Sequence, residues 1–436
     1  MKRFSVLVLF FAMTIPAAAQ LHFSLYSSHM YDDNSFAFYE KREDVYHALF
    51  GALSAGTQSK YTYTQGYYYG ALVLFRTYSD RTYNIHTLGA YTQIQLSHRD
   101  SGQEQEQEHE QEQEQEQEHE QEGSGPHVPP MPRPQTEEAT AFSDSLVSYL
   151  FIIPQVGGRF DHDNWDFYDF QRGSLLLRWR VRPFGSLMAR LHHTVQYKRY
   201  PNLEQFTHLE NTGGIVLNHP LVRKLQIFGA VDAGHKRYTE TMNDTTWVSD
   251  GTPGKGKGGV KPPRPVISQF STPSTMQFVF SVGLAYELFP SAPLSLSWLR
   301  RSNPSSDARY VREDAIFGLT EDEIFDDRYG YQSNELRLQL DGVLPGGIRT
   351  MNRIELIRKQ YPRTATNLAG VPLSGAPQRD DTRFVLRLQA LYPLFRSDDG
   401  TGLSAGLAYN FIRNQSNNAY HDFHNHQVAV VFSGDW

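Results

Sequence analysis

Residues 334–359, "NELRLQLDGVLPGGIRTMNRIELIRK", change character at almost every step. Leu336, Leu338 and Leu340 alternate with Glu335, Arg337, Gln339 and Asp341. After "LPGG" the beat resumes, with Ile348, Ile354 and Leu356 set against Arg349, Arg353 and Glu355. A period of two is the signature of a β-strand, whose successive side chains project to opposite faces. One face must therefore meet an apolar medium while the other tolerates closely spaced charges. A charged residue facing lipid at mid-depth costs ~2–4 kcal/mol, which assigns the charged face to an interior.

The pattern recurs at "SLMARLHHTVQY" (186–197), "LQIFGAVDAG" (225–234), "TRFVLRLQALY" (382–392) and "LSAGLAYNFI" (403–412). It holds for about ten residues at a time, the length a tilted strand needs to cross a bilayer. Connectors alternate between tight ("RPFG" 182–185, "HPLV" 219–222, "LFPSAP" 288–293, "LPGG" 344–347, "SDDG" 397–400) and long. Outer-membrane barrels have this order, with short periplasmic turns and longer extracellular loops. A soluble sandwich would space its strands every 8–12 residues without a side preference in loop length. Counting back from the C-terminus places strands near 424–434, 401–412, 382–394, 348–358, 332–343, 294–302, 274–287, 223–236, 207–218, 186–198, 173–182, 145–157, 84–97, 66–78, 45–57 and 21–30. The expected fold is all-β, a transmembrane antiparallel up-and-down β-barrel of about sixteen strands, fourteen at the fewest, with one long insert.

Four segments follow. Residues 1–19 read as a signal peptide: Lys2 and Arg3 precede the apolar run Phe4–Ile15, and Ala17 and Ala19 form the small-residue cleavage site, making Gln20 the first mature residue. Residues 20–97 hold the first barrel strands and 144–436 the rest, up to the terminal aromatic Trp436. Between them, 98–143 combine a Gln/Glu tract with "GSGPHVPPMPRPQTEE". Having almost no apolar residue to offset ordering entropy, this insert is expected to be disordered, and strand parity puts it on the periplasmic side. It also carries the acidity: the formal charge is −7, but the ten Glu of 103–122 account for more than that. The Gly-, Lys- and Pro-rich stretch 243–266 reads as a flexible extracellular loop. The absence of cysteine excludes disulfides, thiolate catalysis, cysteine-ligated zinc and lipoprotein acylation.

At "YKRYPNLEQFTHLENTG" (197–213), "DEIFDDRYGYQSNEL" (322–336) and "AYHDFHNHQVAV" (419–430) the chain resembles a group of bacterial outer-membrane β-barrels of unassigned role. It is similar in outline to the barrel half of surface-lipoprotein assembly modifiers, without their tetratricopeptide region. The resemblance runs loosely over 21–97 and 145–436 and implies an outer-membrane location. The final "HQVAVVFSGDW", with Val428, Val430, Phe432 and Trp436 on one face, looks like the terminal signal read by barrel-assembly machinery.

By the alternation, Arg178, Arg180, Arg190, Arg337, Arg349, Arg353, Arg383 and Arg387 point into the lumen, joined by Glu335, Asp341 and Glu355. An arginine-rich lumen favours anionic solutes; the competing reading is an internal salt-bridge network that closes the bore. Acidic stretches at 31–34, 161–170 and 321–327 lack the spacing and glycine of a calcium loop and read as solvated loop charge. His421, His424 and His426 have the chemistry of metal ligands but sit where polar rim residues belong, so no metal or other cofactor is expected. No hydrolase or phosphate-binding motif occurs, which argues against an enzyme, including a lipid hydrolase. Nothing suggests nucleic-acid binding. The expected function is a passive pore for small solutes, with a small anionic solute as the expected cargo of its arginine-rich lumen. Its partners would be outer-membrane lipid and, during biogenesis, the assembly machinery. The alternative is a closed structural barrel engaging a periplasmic or surface protein through its loops or acidic insert.

Overall fold

A computed structural model describes residues 20–35, 39–96, 148–162, 164–184, 186–239, 243–248, 264–269, 274–289, 291–304, 328–368, 372–375, 377–397 and 401–436. Ala17, Ala19, the insert and the acidic stretch 321–327 lie outside them. The first half of the wall comprises β1 (Gln20–Asp32), β2 (Asp44–Gln58), β3 (Thr62–Phe75), β4 (Tyr83–Gln95), β5 (Tyr149–Asp161), β6 (Phe170–Phe184), β7 (Leu187–Arg199), β8 (His208–Val222) and β9 (Leu225–Tyr238). Two short strands, β10 (Asn243–Val248) and β11 (Arg264–Gln269), pair only with each other. The wall resumes with β12 (Ser274–Phe289), β13 (Ala292–Ser302), β14 (Gln332–Leu344), β15 (Ile348–Thr364), β16 (Gln378–Arg396), β17 (Gly402–Ser416) and β18 (Phe423–Asp435).

Apart from β10 and β11, each strand pairs antiparallel with its neighbours in sequence, and β1 pairs with β18, closing a sixteen-strand barrel without a free edge. All sixteen strands read from the sequence are present; the largest departures are β15, which runs on to Thr364 rather than 358, and β5, which is displaced to Tyr149–Asp161 from 145–157. The hairpin β10–β11 falls where the sequence suggested only a flexible loop. The Thr and Val of "NDTTWV" and the Val and Ile of "RPVISQ" favour extended backbone, and they outweigh the Gly/Pro-rich stretch between them.

Register explains the opening stretch. Leu336 faces Leu356 and Leu338 faces Ile354 on the outer surface, while Arg337 faces Glu355 on the inner one. Leu336 and Leu356 are 47% and 49% exposed, whereas Glu355 is 6% exposed. The turn after β14 passes through Gly346 and Gly347 at φ 86° and 76°, a left-handed region that a side chain would strain. The same division holds on β12, where Met276, Phe278, Phe280, Val282 and Leu284 are exposed outside and Thr275, Gln277, Val279 and Ser281 are buried inside. Such an outer surface is the one a bilayer requires.

The two ends of the barrel differ. One carries both ends of the described chain and the tight connections after β2, β6, β8, β12, β14 and β16. The other carries the long connections, several of which contain a single 3-10 turn, such as Asp166–Tyr168, Glu204–Phe206 and Arg328–Gly330. Gln95 and Tyr149, the described residues that flank the insert on β4 and β5, are ladder partners at the tight end.

Candidate functional site: the barrel lumen

The inner surface has two chemically distinct walls. Strands β1–β4 and β18 present a buried apolar and aromatic cluster that includes Tyr46, Phe50, Tyr69, Phe75, Tyr83 and Val431. Next to it Tyr91, Phe151 and Ile153 pack together from β4 and β5. Sequence reading missed this wall because strands such as β3, "TYTQGYYYGALVLF", are apolar or aromatic on both faces. Alternation is silent there. The usable signal is the register to β2 and β4, which places Tyr69, Ala71 and Val73 inside.

The inward arginines lie on the remaining strands. On β6, Leu175, Leu177 and Trp179 are exposed outside, which turns Arg178 and Arg180 inward; on β7, outward Leu191 sets Arg190 inward. Arg337, Arg349, Arg353, Arg383, Arg387, Glu335, Asp341 and Glu355 occupy inward positions on β14, β15 and β16. Three features organise them. Arg337 Nε donates to Glu355 Oε1 at 2.6 Å. Arg353 stands directly opposite Arg387 in the β15–β16 ladder. Arg180 stands directly opposite Arg190 in the β6–β7 ladder. β6 and β16 are eight strands apart in the closed order of sixteen, so the two arginine pairs belong to opposite sides of the bore.

Towards the tight end, Arg349 donates to Ser404 Oγ at 2.8 Å and lies 3.9 Å from Asp435. Elsewhere Arg383 donates to Asn414 Oδ1 at 3.1 Å, and Arg301 lies 3.8 Å from Glu335. His192 and Asp232 face each other at 3.1 Å.

Near the long-loop end, inward cations stack on aromatic rings. Arg159 lies over Tyr83 at 4.1 Å, Lys198 over Phe170 at 4.1 Å, Lys359 over Tyr331 at 4.4 Å and Arg379 over Tyr361 at 4.0 Å. Cation–π pairs of this kind gain strength where water is excluded. Part of the connection between β13 and β14 folds into this mouth. The Tyr329 hydroxyl donates to Glu210 Oε1 at 3.0 Å, Arg328 pairs with the same carboxylate, and Gln277 and Asn303 donate to the backbone carbonyls of Arg328 and Tyr329. Tyr329 is 1% exposed.

The described residues of the acidic stretch 161–170 are tied into the wall rather than left as solvated loop charge. Asp161 pairs with Arg159 at 2.8 Å, and Asp169 accepts from the Asp161 N–H at 2.6 Å. Burial pushes the Asp169 carboxyl above its usual range, and that hydrogen bond opposes the shift. Trp165, Phe167 and Tyr168 in the same stretch are buried. The three histidines separate: His421 is buried on the inside near Asp381, whereas His424 and His426 lie on the outer face of β18. Val428, Val430 and Phe432 share that outer face, and Trp436 continues it, its ring centroid 5.6 Å from that of Phe23.

No family model matches the sequence, and no curated protein is significantly similar to it. Among solved structures the chain is similar to the outer membrane protein OprD from Pseudomonas aeruginosa, with 10% identity over 97% of this chain and 94% of that one and a TM-score of 0.41. It is also similar to OpdL of the same organism, with 9% identity over 97% and 99% of the two chains and a TM-score of 0.41. For Pseudomonas aeruginosa OpdK the values are 8%, 96%, 99% and 0.42.

Proposed function

We propose that the protein is a passive pore of the bacterial outer membrane, exported with its signal peptide removed, whose lumen draws in small anionic solutes. The observation that carries this reading is the pairing of like charges: Arg180 opposite Arg190, and Arg353 opposite Arg387, on opposing sides of the bore. Arginines grouped on facing sides of a lumen favour an anion that passes between them. Planar-bilayer recordings of the purified protein test it. Discrete conductance with a reversal potential favouring anions is expected, and a silent bilayer removes the proposal.

A second reading has its own support. The aromatic wall and the turn at Arg328–Gly330 fill part of the interior, as they would in a closed barrel that engages a protein partner. The likeness to assembly-modifier barrels belongs with this reading, as does a role for the acidic insert. Deleting 101–137 would then abolish co-purification of a periplasmic or surface partner while leaving the barrel folded. In either case the outward terminal face Val428–Trp436 is the surface offered to barrel-assembly machinery during biogenesis.

A further inference from the structure

At the outer rim of the seam between the first and last strands, Asp33, His424 and His426 converge, one ligand atom from each lying within 4.8 Å of the others. The grouping follows from the local fold. His424 and His426 are two residues apart on β18, so both project from its outer face. Asp33 follows β1 and is held beside them by the backbone: its N–H donates to the His426 carbonyl at 3.0 Å, and its Oδ1 accepts from the His426 N–H at 2.6 Å. Asn34 adds a bond from Nδ2 to the His424 carbonyl at 3.1 Å. The Tyr409 hydroxyl lies 2.9 Å from His426 Nδ1. An outer partner of this kind fixes the ring and tautomer of a ligating histidine.

We propose that these three residues form a transition-metal site, for zinc in the first instance, that clamps the barrel seam from outside. Two imidazoles and one carboxylate suit zinc, with a fourth position open to water. Magnesium and calcium, which prefer all-oxygen shells, are the wrong match. The Lys41 ammonium, which pairs with Asp33 Oδ2, marks a place where positive charge is already drawn, and the metal would displace it. Because the carboxylate follows β1 and the histidines belong to β18, the bound ion would join the strands whose pairing closes the cylinder. A ligand that binds only the folded form raises its stability.

The test is zinc titration of the metal-stripped mature chain, folded in detergent, by calorimetry and by the temperature at which heat changes its gel mobility. One zinc per chain and a raised transition temperature are expected, with magnesium and calcium ineffective. Asp33→Asn and His424→Gln should each abolish saturable binding, and Tyr409→Phe should weaken it by roughly 10- to 100-fold. Gel mobility of each unheated variant shows that its barrel has formed. Absence of a saturable site in the wild-type protein, or binding that survives either ligand substitution, overturns the proposal.

Discussion

Arg337 and Glu355 face each other across the β14–β15 ladder and join by a 2.6 Å hydrogen bond from Nε to Oε1. Glu355 also lies close enough to Arg353 and Arg387 to be influenced by both, making it the carboxylate that holds this arginine group together. Replacing Glu355 by Gln keeps the shape and removes the charge. Loss of a charged hydrogen bond of this kind costs about 1.5–3 kcal/mol, so unfolding in urea should shift to lower concentration. The same variant should be more anion-selective in bilayers, since the inner surface gains one net positive charge.

Arg353→Gln or Arg387→Gln should act the other way. Each removes one member of a like-charge pair and, with it, a cation that lies close to Glu355. Anion preference is expected to fall, measured as the reversal potential in a salt gradient, with little net change in stability because the lost repulsion and the lost attraction offset. A loss of stability together with unchanged selectivity would show that these arginines are structural ties alone.

Glu210 holds the inward turn of the β13–β14 connection through Tyr329 and Arg328. Glu210→Gln should loosen that turn, increasing proteolysis of the connection and raising conductance. Gly234→Ala provides an independent route, because a Cβ there would collide with the Tyr329 ring. Both substitutions should give the same direction of change.

The lipid face can be probed separately from the lumen. Leu338 is exposed on the outer surface, flanked by Leu296 of β13 and Ile354 of β15. Leu338→Arg should cost about 2–4 kcal/mol if the site lies at the membrane midplane, lowering the folded fraction seen by heat-modifiable mobility. Gln339→Arg, one step along and facing inward, should be tolerated far better.

The architecture was legible in this sequence because β6, β7 and β14–β16 place leucine outside and arginine inside, so a single strand reveals both of its environments. β2–β4 offered no such contrast. Tyr46, Phe50 and Tyr69 resemble lipid-facing residues until their ladder partners fix the side on which they lie. The histidines of "HDFHNH" show the same limit from another direction. Sequence spacing grouped His421, His424 and His426, but the 3-10 turn Ala419–His421 ends between the first and the other two, leaving them on different sides of the wall. Asp33, nearly four hundred positions away, reaches His424 and His426 only because the barrel closes. Long-range closure is what local pattern does not encode.

Gln95 and Tyr149 are ladder partners, and beside them the Leu96 N–H donates to the Ser148 carbonyl at 2.8 Å, so the wall is already continuous between the strands that flank 97–147. For a flexible connection, each doubling of length adds only about 0.6 kcal/mol of closure entropy. A change in the number of residues between these two strands should therefore cost folding little.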